Sequence, residues 1–487
     1  MEIIQTEKKF YDRCAELKFL RDKYENLQKG EFGVIYGRRR MGKSELLRKF
    51  LKKVKTRKIY LNVIDSNKKG LMNTLSAKIN ETYKETLKIN EWKDFFDYLA
   101  EKTKSESLVF VIDEFQRIYD FSKDFVFHLQ EYWDSLLKNR RIMIIICGSS
   151  MSMMHKIALE EKGPLYGRKT FEYNLKQFRY LDFREMFKEY SEEDKIKIFS
   201  IFGGTPKYLD DFKYSNLELF EAFSKIVLSN NGSLYDEPLN ALKFELKNPE
   251  RYVAILRAIS EGKVESKEIA DFIGLENTEI SPYLKNLSEL LDMAESNNPL
   301  FGKKRTKRYK IKDNLFRFWY KFVYPNREHI EIGNIKFILD KIKKEFDSYC
   351  GRIFEDIIRE FFIFMNGRVI KNKKINFEEC GKWWEGNEDI DLVLKSKSGV
   401  VFIEAKFRDK KMGIDCFEEL KRKSLQTSAS GRFSYIIISK SGFEQDLIDK
   451  KIPDLLLLSL NDLTEILDNE TKREVEIQEE LIKYFEL

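Results

Sequence analysis

The chain has 487 residues, more than one hydrophobic core usually organises, so two or three domains are expected. Charged residues of both signs make up 35% of it and leave a net charge of +7, which mildly favours polyanionic partners. Five scattered cysteines (Cys14, Cys147, Cys350, Cys380 and Cys416) with no CxxC pair, and only three histidines, argue against a disulfide framework, a structural zinc site and a His-based triad.

The first residues, MEIIQTEKKF, contain no apolar signal region. The longest apolar runs are of strand length, far below the roughly 20 residues of a membrane helix. A cytoplasmic chain without a membrane span is expected.

Up to about residue 200, short apolar runs alternate with amphipathic stretches. FGVIYG from Phe32, KIYLNVI from Lys58, LVFVID from Leu108 and RIMIIICGSS from Arg141 read as buried strands. They lack period-two alternation, which fits a parallel sheet covered on both faces. The intervening stretches are helix-like, so the fold class is α/β.

The first strand runs into Gly37-Arg38-Arg39-Arg40-Met41-Gly42-Lys43-Ser44, which matches GxxxxGK[ST], and the helix-like SELLRKFLKK follows. In such a loop, backbone N–H groups wrap phosphate oxygens and the helix N-terminus adds a favourable dipole. Lys43 is placed to neutralise β- and γ-phosphate charge, and the Ser44 hydroxyl to ligate Mg²⁺. The strand from Leu108 ends in Asp113-Glu114. Asp113 suits Mg²⁺ and Glu114 the polarisation of an attacking water. The strand ending Cys147-Gly148-Ser149-Ser150 should lie beside the acidic one, making Ser149 a candidate γ-phosphate sensor. Arg168 suits transition-state charge, with a surface salt bridge as the alternative reading.

FYDRCAEL, VIYGRRRMGKSELL, VFVIDEFQRI, IIICGSS, GPLYGR and FGGTPKYL together resemble the archaeal-type ATPase family of the AAA+/STAND-like group. The resemblance implies hydrolysis of ATP to ADP and phosphate. It implies that Arg13, in the Arg13-x-x-Glu16 motif, lies near the nucleotide. It implies that Arg168 is an arginine finger, in cis or from a neighbouring subunit, and that the turn Gly204-Thr205-Pro206 belongs to a nucleotide-facing lid. A trans finger requires a homo-oligomer, from dimer to ring.

From about residue 248 to 326 the texture changes. ERYVAILRAISEG, SKEIADFIG and ENTEISPYLKNLSELLDM read as three helices with a turn at Gly274, and NNPLFGKKRTKRYKIKD as a basic hairpin. The expectation is a winged helix-turn-helix whose wing carries Lys303, Lys304, Arg305, Lys307 and Arg308. DNA phosphate contact by this wing and a purely structural lid role both stand as readings.

Farther on, residues 388–395 and 401–406 alternate polar and apolar, joined by Ser396-Lys397-Ser398-Gly399. Pairing Ser396 with Gly399, or Lys395 with Val400, gives one register. It sets Asp391 opposite Glu404, with Lys406 on the same face. Two facing carboxylates call for a cation between them, and Lys406 could orient or deprotonate a water. This Asp…Glu-x-Lys pattern resembles the PD-(D/E)xK nuclease fold, which implies that Glu355 in GRIFEDIIREFF joins the site. Ile390 stands where that pattern often has Pro. The domain either cleaves DNA with a second Mg²⁺ or Mn²⁺, or is inactive and serves an ATP-switched DNA- or partner-binding oligomer.

The expected divisions are an ATPase domain over 1–210, a helical lid or connector over 211–247, and the winged helix over 248–326. A linker over 327–345 and a nuclease-like domain over 346–487 complete the chain.

Overall fold

The computed structural model describes residues 13–64, 67–301 and 307–485. Its first sheet comprises β1 (Glu31–Tyr36), β2 (Arg57–Asn62), β3 (Leu108–Asp113), β4 (Ile142–Gly148) and β5 (Phe171–Asn174), in the order β2-β3-β4-β1-β5. Every pairing is parallel. All residues of β3 and β4 are buried, as continuous apolar runs covered on both faces must be. One apolar layer packs Leu46, Leu47 and Phe50 of the helix Lys43–Lys53 under the sheet, and another packs Phe95, Phe96 and Leu129 on its other face. The fifth strand, FEYN, is too short and too exposed to be read from its sequence.

This order puts β4 between β1 and β3. The loop after β1, the acids after β3 and the serines after β4 therefore emerge side by side at the carboxyl edge, where parallel sheets gather ligands.

Three helices follow a connector, Glu250–Ser260, Ser266–Ile273 and Asn277–Lys285. Gly274 ends the second in the left-handed region, at φ +71°. An antiparallel pair, β6 (Ala294–Asn297) and β7 (Arg308–Ile311), comes next. Of the basic cluster expected at its tip, Lys303, Lys304 and Arg305 lie outside the described residues, as do the first twelve residues of the chain.

The linker expected over 327–345 is corrected. Arg327–Glu331 is helical, and the 30-residue helix Ile335–Phe364 runs straight through the boundary expected at 346. Its apolar positions, Ile338, Ile342, Phe346, Tyr349, Ile353, Ile357 and Phe361, recur every three or four residues and are buried. The core around it is continuous from Phe178 to Leu467, joining the helices after β5 to one face of the last sheet.

That sheet follows a small ladder of β8 (Val369–Ile370) and β9 (Lys373–Lys374). It contains β10 (Glu379–Glu385), β11 (Glu388–Ser396), β12 (Gly399–Lys406), β13 (Arg432–Ser439) and β14 (Leu455–Ser459), in that order. The β10-β11 and β11-β12 pairs are antiparallel, and the last two are parallel. Among the described residues no helix is long and apolar enough to cross a membrane.

Candidate nucleotide pocket and second carboxylate site

The loop after β1 owes its shape to Gly37. Its φ is +151°, and a Cβ there would lie 2.3 Å from the carbonyl oxygen of Leu175. Arg40 adopts a left-handed φ of +73°, a strain that surrounding contacts must hold. The Lys43 ammonium is buried and donates to the carbonyls of Gly37 (2.7 Å) and Arg38 (2.9 Å). Burial pushes its pKa down, while nearby acids, among them Asp113 and Glu114, oppose the shift.

At the end of β3, Asp113 accepts a 2.5 Å hydrogen bond from the phenol of Tyr60. The Ser44 side chain contacts the same phenol, so Ser44, Tyr60 and Asp113 form one polar cluster beside Lys43. Glu114 has φ +58°, a left-handed value that turns its carboxylate back toward β4. There it accepts from Gln116 Nε2 (2.7 Å) and from Ser149 Oγ (3.0 Å). A cavity of about 470 Å³ is bounded by Lys43, Ser44, Glu114 and Ser149, with Arg13 and Pro206 on its rim. Arg13 donates to the carbonyls of Met41 (3.2 Å) and Lys176 (2.7 Å) and pairs with Glu16. Pro206 opens the helix Pro206–Ser215, and its ring faces Gly42.

The loop arginines take partners that sequence reading missed. Arg38 pairs with Asp313 and lies over the ring of Phe316. Arg40 pairs with Glu237 at 2.7 Å, and Arg39 lies over Phe244. Burial raises the pKa of both Asp313 and Glu237. Tyr60 and Gln116 were also missed. Gln116 had a signal, standing two residues after Glu114; the distant acids had none.

Arg168 is corrected as an arginine finger acting within its own chain. It forms a bidentate pair with Asp134 and donates to the carbonyls of Pro164 and Tyr166. Thr170 N–H donates to the carbonyl of Phe32, so Arg168 sits beside the start of β1, while the phosphate loop leaves its end.

In the second sheet the register is Ser396 with Gly399 through Leu392 with Ile403. The next pair in that register is Asp391 with Glu404. There the ladder gives way, and Asp391 Oδ2 accepts the Ala405 N–H at 2.9 Å. Lys406 Nζ lies 3.4 Å from Asp391 Oδ2 and also pairs with Glu404. Both carboxylates are buried, and Glu404 Oε2 has no hydrogen-bond partner. Burial, reinforced by Asp391, pushes the Glu404 carboxyl up to about 7. Glu355 is likewise raised to about 7 by burial, with Asp391 adding to it and its partner Lys382 opposing. Glu355, Asp391, Glu404 and Lys406 thus form one electrostatic group; Lys382 had no sequence signal.

The orphan oxygen of Glu404 fits a cation. Against this, among the described residues no three His, Cys, Asp or Glu side chains are arranged to hold a metal. A cation at this place would rest on Asp391 and Glu404 and would displace the ammonium of Lys406.

Residues 10–212 match a family described as an ATPase domain predominantly from Archaea. A relative from Methanocaldococcus jannaschii, Uncharacterized protein MJECL04, is 31% identical over 464 residues, spanning 93% of this chain and 100% of its own length. The chain belongs to this archaeal ATPase family. Nucleotide binding, typically with Mg²⁺, goes with the family, and the 470 Å³ cavity above β1 is where its loop lies. Residues 319–427 match a second family, described as Archaea bacterial proteins of unknown function. Among solved structures, the Walker-type ATPase PABY2304 of Pyrococcus abyssi is similar at 23% identity, over 64% of this chain and 96% of that one, with a TM-score of 0.48. Cdc6p from Pyrobaculum aerophilum is similar at 14% identity, over 70% and 97%, with a TM-score of 0.34.

Proposed function

We propose that the archaeal ATPase domain hydrolyses ATP with Mg²⁺, that the chain engages DNA, and that its second carboxylate site cleaves it. At the first site, Lys43 turns from its own loop carbonyls to the phosphates. Glu114 accepts the proton of the attacking water, oriented by Ser149 and Gln116 through the bonds they already make to it. Ser44 and Asp113 would hold Mg²⁺, which supplies charge neutralisation between the β- and γ-phosphates.

The nuclease reading rests on one observation: a buried Asp391–Glu404 pair shares a lysine and leaves Glu404 Oε2 without a partner. A buried carboxyl oxygen left unmatched is costly, so it marks a place for a ligand. Asp391 and Glu404 would hold a divalent cation, which polarises a phosphodiester and its attacking water. Lys406, released from Glu404, would orient that water. The helices and hairpin of residues 250–311 support a winged-helix reading, with Arg308 and Lys307 on the wing side.

A second reading has its own support. Lys406 already neutralises the pair, as in a nuclease-like domain that has kept its shape without the metal. The chain would then be an ATP-switched oligomer that binds DNA or a protein without cutting.

Nuclease assays with Mg²⁺ and Mn²⁺ separate the two readings. Cleavage by the wild-type chain that Asp391→Ala abolishes supports the first. Its absence under both metals, with ATP turnover intact, supports the second.

A further inference from the structure

A cavity of about 440 Å³ lies between two walls that the preceding site does not explain. One wall is the β6–β7 hairpin with the end of the helix Glu250–Ser260 and Arg317 of the helix Asn314–Phe318. The other is the helix Ile335–Phe364 with the edge strand β10. Four contacts tie the walls together. Leu300 N–H donates to the Lys382 carbonyl (2.8 Å), and Arg308 Nη2 to the Gly386 carbonyl (3.3 Å). Lys310 and Arg317 grip the two oxygens of Asp356, at 2.6 and 3.0 Å.

The lining is basic. Seven of its residues are Arg or Lys and four are Asp or Glu, a surplus of three positive charges. Arg352 and Arg359 are exposed and stand seven positions apart on the long helix. Seven residues are about two helical turns, so both share the face that presents Glu355 between them. At the mouth, the Arg308 guanidinium lies 5.0 Å over the ring of Trp384, with its Nε 3.6 Å from the Glu265 carboxylate. A guanidinium plane backed by an aromatic ring is a surface on which a nucleobase stacks. Glu355 lines the cavity and also feels the charge of Asp391, so one residue of the second carboxylate group belongs to the cleft wall.

Size decides the form of the ligand. A volume of about 440 Å³ is a cube roughly 8 Å on edge, whereas the major groove of a duplex is already about 12 Å wide. A cleft of this size is closer to the width of one strand than to that of a duplex.

We infer that this cleft binds an unpaired DNA strand, with Arg352 and Arg359 on successive phosphates, a base on Arg308, and the hairpin as a roof that refuses duplex. The inference rests on the reading of Asp391 and Glu404 as a nucleic-acid site, and it names the substrate class of that site.

The test uses the full-length chain without divalent metal, so that binding is read apart from cleavage. Fluorescence anisotropy compares a labelled oligothymidine with a blunt duplex of equal length. The single strand is expected to bind at least tenfold more tightly. The Arg352→Glu/Arg359→Glu variant is expected to lose about tenfold or more of that affinity at an unchanged melting temperature. If charge reversal perturbs folding, Arg352→Ala/Arg359→Ala replaces it, with the slope of log affinity against log salt falling by about 1.4 for two lost phosphate contacts on a single strand. Equal or tighter binding of the duplex overturns the inference, as does single-strand affinity that neither variant lowers. Strand binding that responds to these variants, in a chain that cuts nothing in Mg²⁺ or Mn²⁺, upholds the cleft and removes only the nuclease reading.

Discussion

Arg38 of the phosphate loop places Nη1 3.3 Å from Oδ2 of Asp313, with both side chains buried. Asp313 is the N-cap of the helix Asn314–Phe318, accepting from Phe316 N–H at 3.3 Å, and it follows β7 by two residues. The loop that receives nucleotide is therefore in direct contact with the segment that carries the hairpin. A buried ion pair is costly to break from one side, because the remaining charge loses its match. Arg38→Met is expected to destabilise the chain by about 3 kcal/mol near neutral pH. The penalty should shrink in acid, where Asp313, already raised by burial, takes up a proton. Urea unfolding at two pH values, with Asp313→Asn and the double variant closing the cycle, measures the coupling.

At the nucleotide pocket, Lys43→Ala is expected to abolish ATP turnover, and Glu114→Gln to lower it by about 10²–10⁴-fold while ATP still binds. Phosphate release and equilibrium binding of a fluorescent ATP analogue distinguish the two variants. Arg168→Ala should leave turnover within about twofold of wild type, since its exposed pair with Asp134 contributes about 1 kcal/mol or less. A loss approaching that of Glu114→Gln would return Arg168 to the reaction, through a second copy of the chain.

Asp391→Ala is expected to remove DNA cleavage and leave ATP turnover intact. It also strips the Ala405 N–H of its acceptor, a loss of about 1–3 kcal/mol for a buried donor. Mn²⁺ should raise the melting temperature of the wild-type chain and have no such effect on Glu404→Gln. A Mn²⁺ shift that persists in Glu404→Gln would place the cation elsewhere.

Glu360 supplies a pH dependence. Its carboxylate receives the N–H groups of Tyr180 (3.1 Å) and Leu181 (2.9 Å), capping the helix Tyr180–Met186 from the long helix. Burial nevertheless lifts its pKa from 4.5 to about 7, against the pull of those donors. Between these values the folded chain holds a proton that the unfolded chain has released. Stability from this group is thus fully present below about 4.5 and is lost as the pH rises through about 7. The slope is at most about 1.4 kcal/mol per pH unit for one proton. Glu360→Gln should flatten the fall in unfolding free energy across that window. An unchanged slope would exclude Glu360 as its source.

What could be read in advance depended on how local the information was. The phosphate loop is eight consecutive residues between a strand and a helix, and Asp113-Glu114 close an apolar run, so both announce themselves. The hairpin register was equally legible, because Ser396-Lys397-Ser398-Gly399 and the two-residue period leave one way to pair Asp391 with Glu404. For Arg168 the sequence left a finger and a surface salt bridge both standing, for the opposite reason. Whether an arginine reaches a phosphate or an aspartate at the far edge of the sheet is set by chain reversal, not by its neighbours. Asp313, Glu237 and Lys382 meet their partners only in the folded chain, and their flanking residues carry no trace of it. The helix Ile335–Phe364 was cut short because a boundary was placed at Phe346, although the apolar period continues back to Ile338.

That helix has a practical consequence. Its buried side packs against helices that follow the ATPase sheet and also against the carboxylate-bearing sheet. A fragment beginning at Phe346 would lack Ile338 and Ile342 and would bare the apolar side chains they cover. The carboxylate unit is thus not a detachable cassette. Exchanging it between relatives would require a junction upstream of Asn334, and heating should melt the second half of the chain as one cooperative body instead of releasing a soluble nuclease-like remnant.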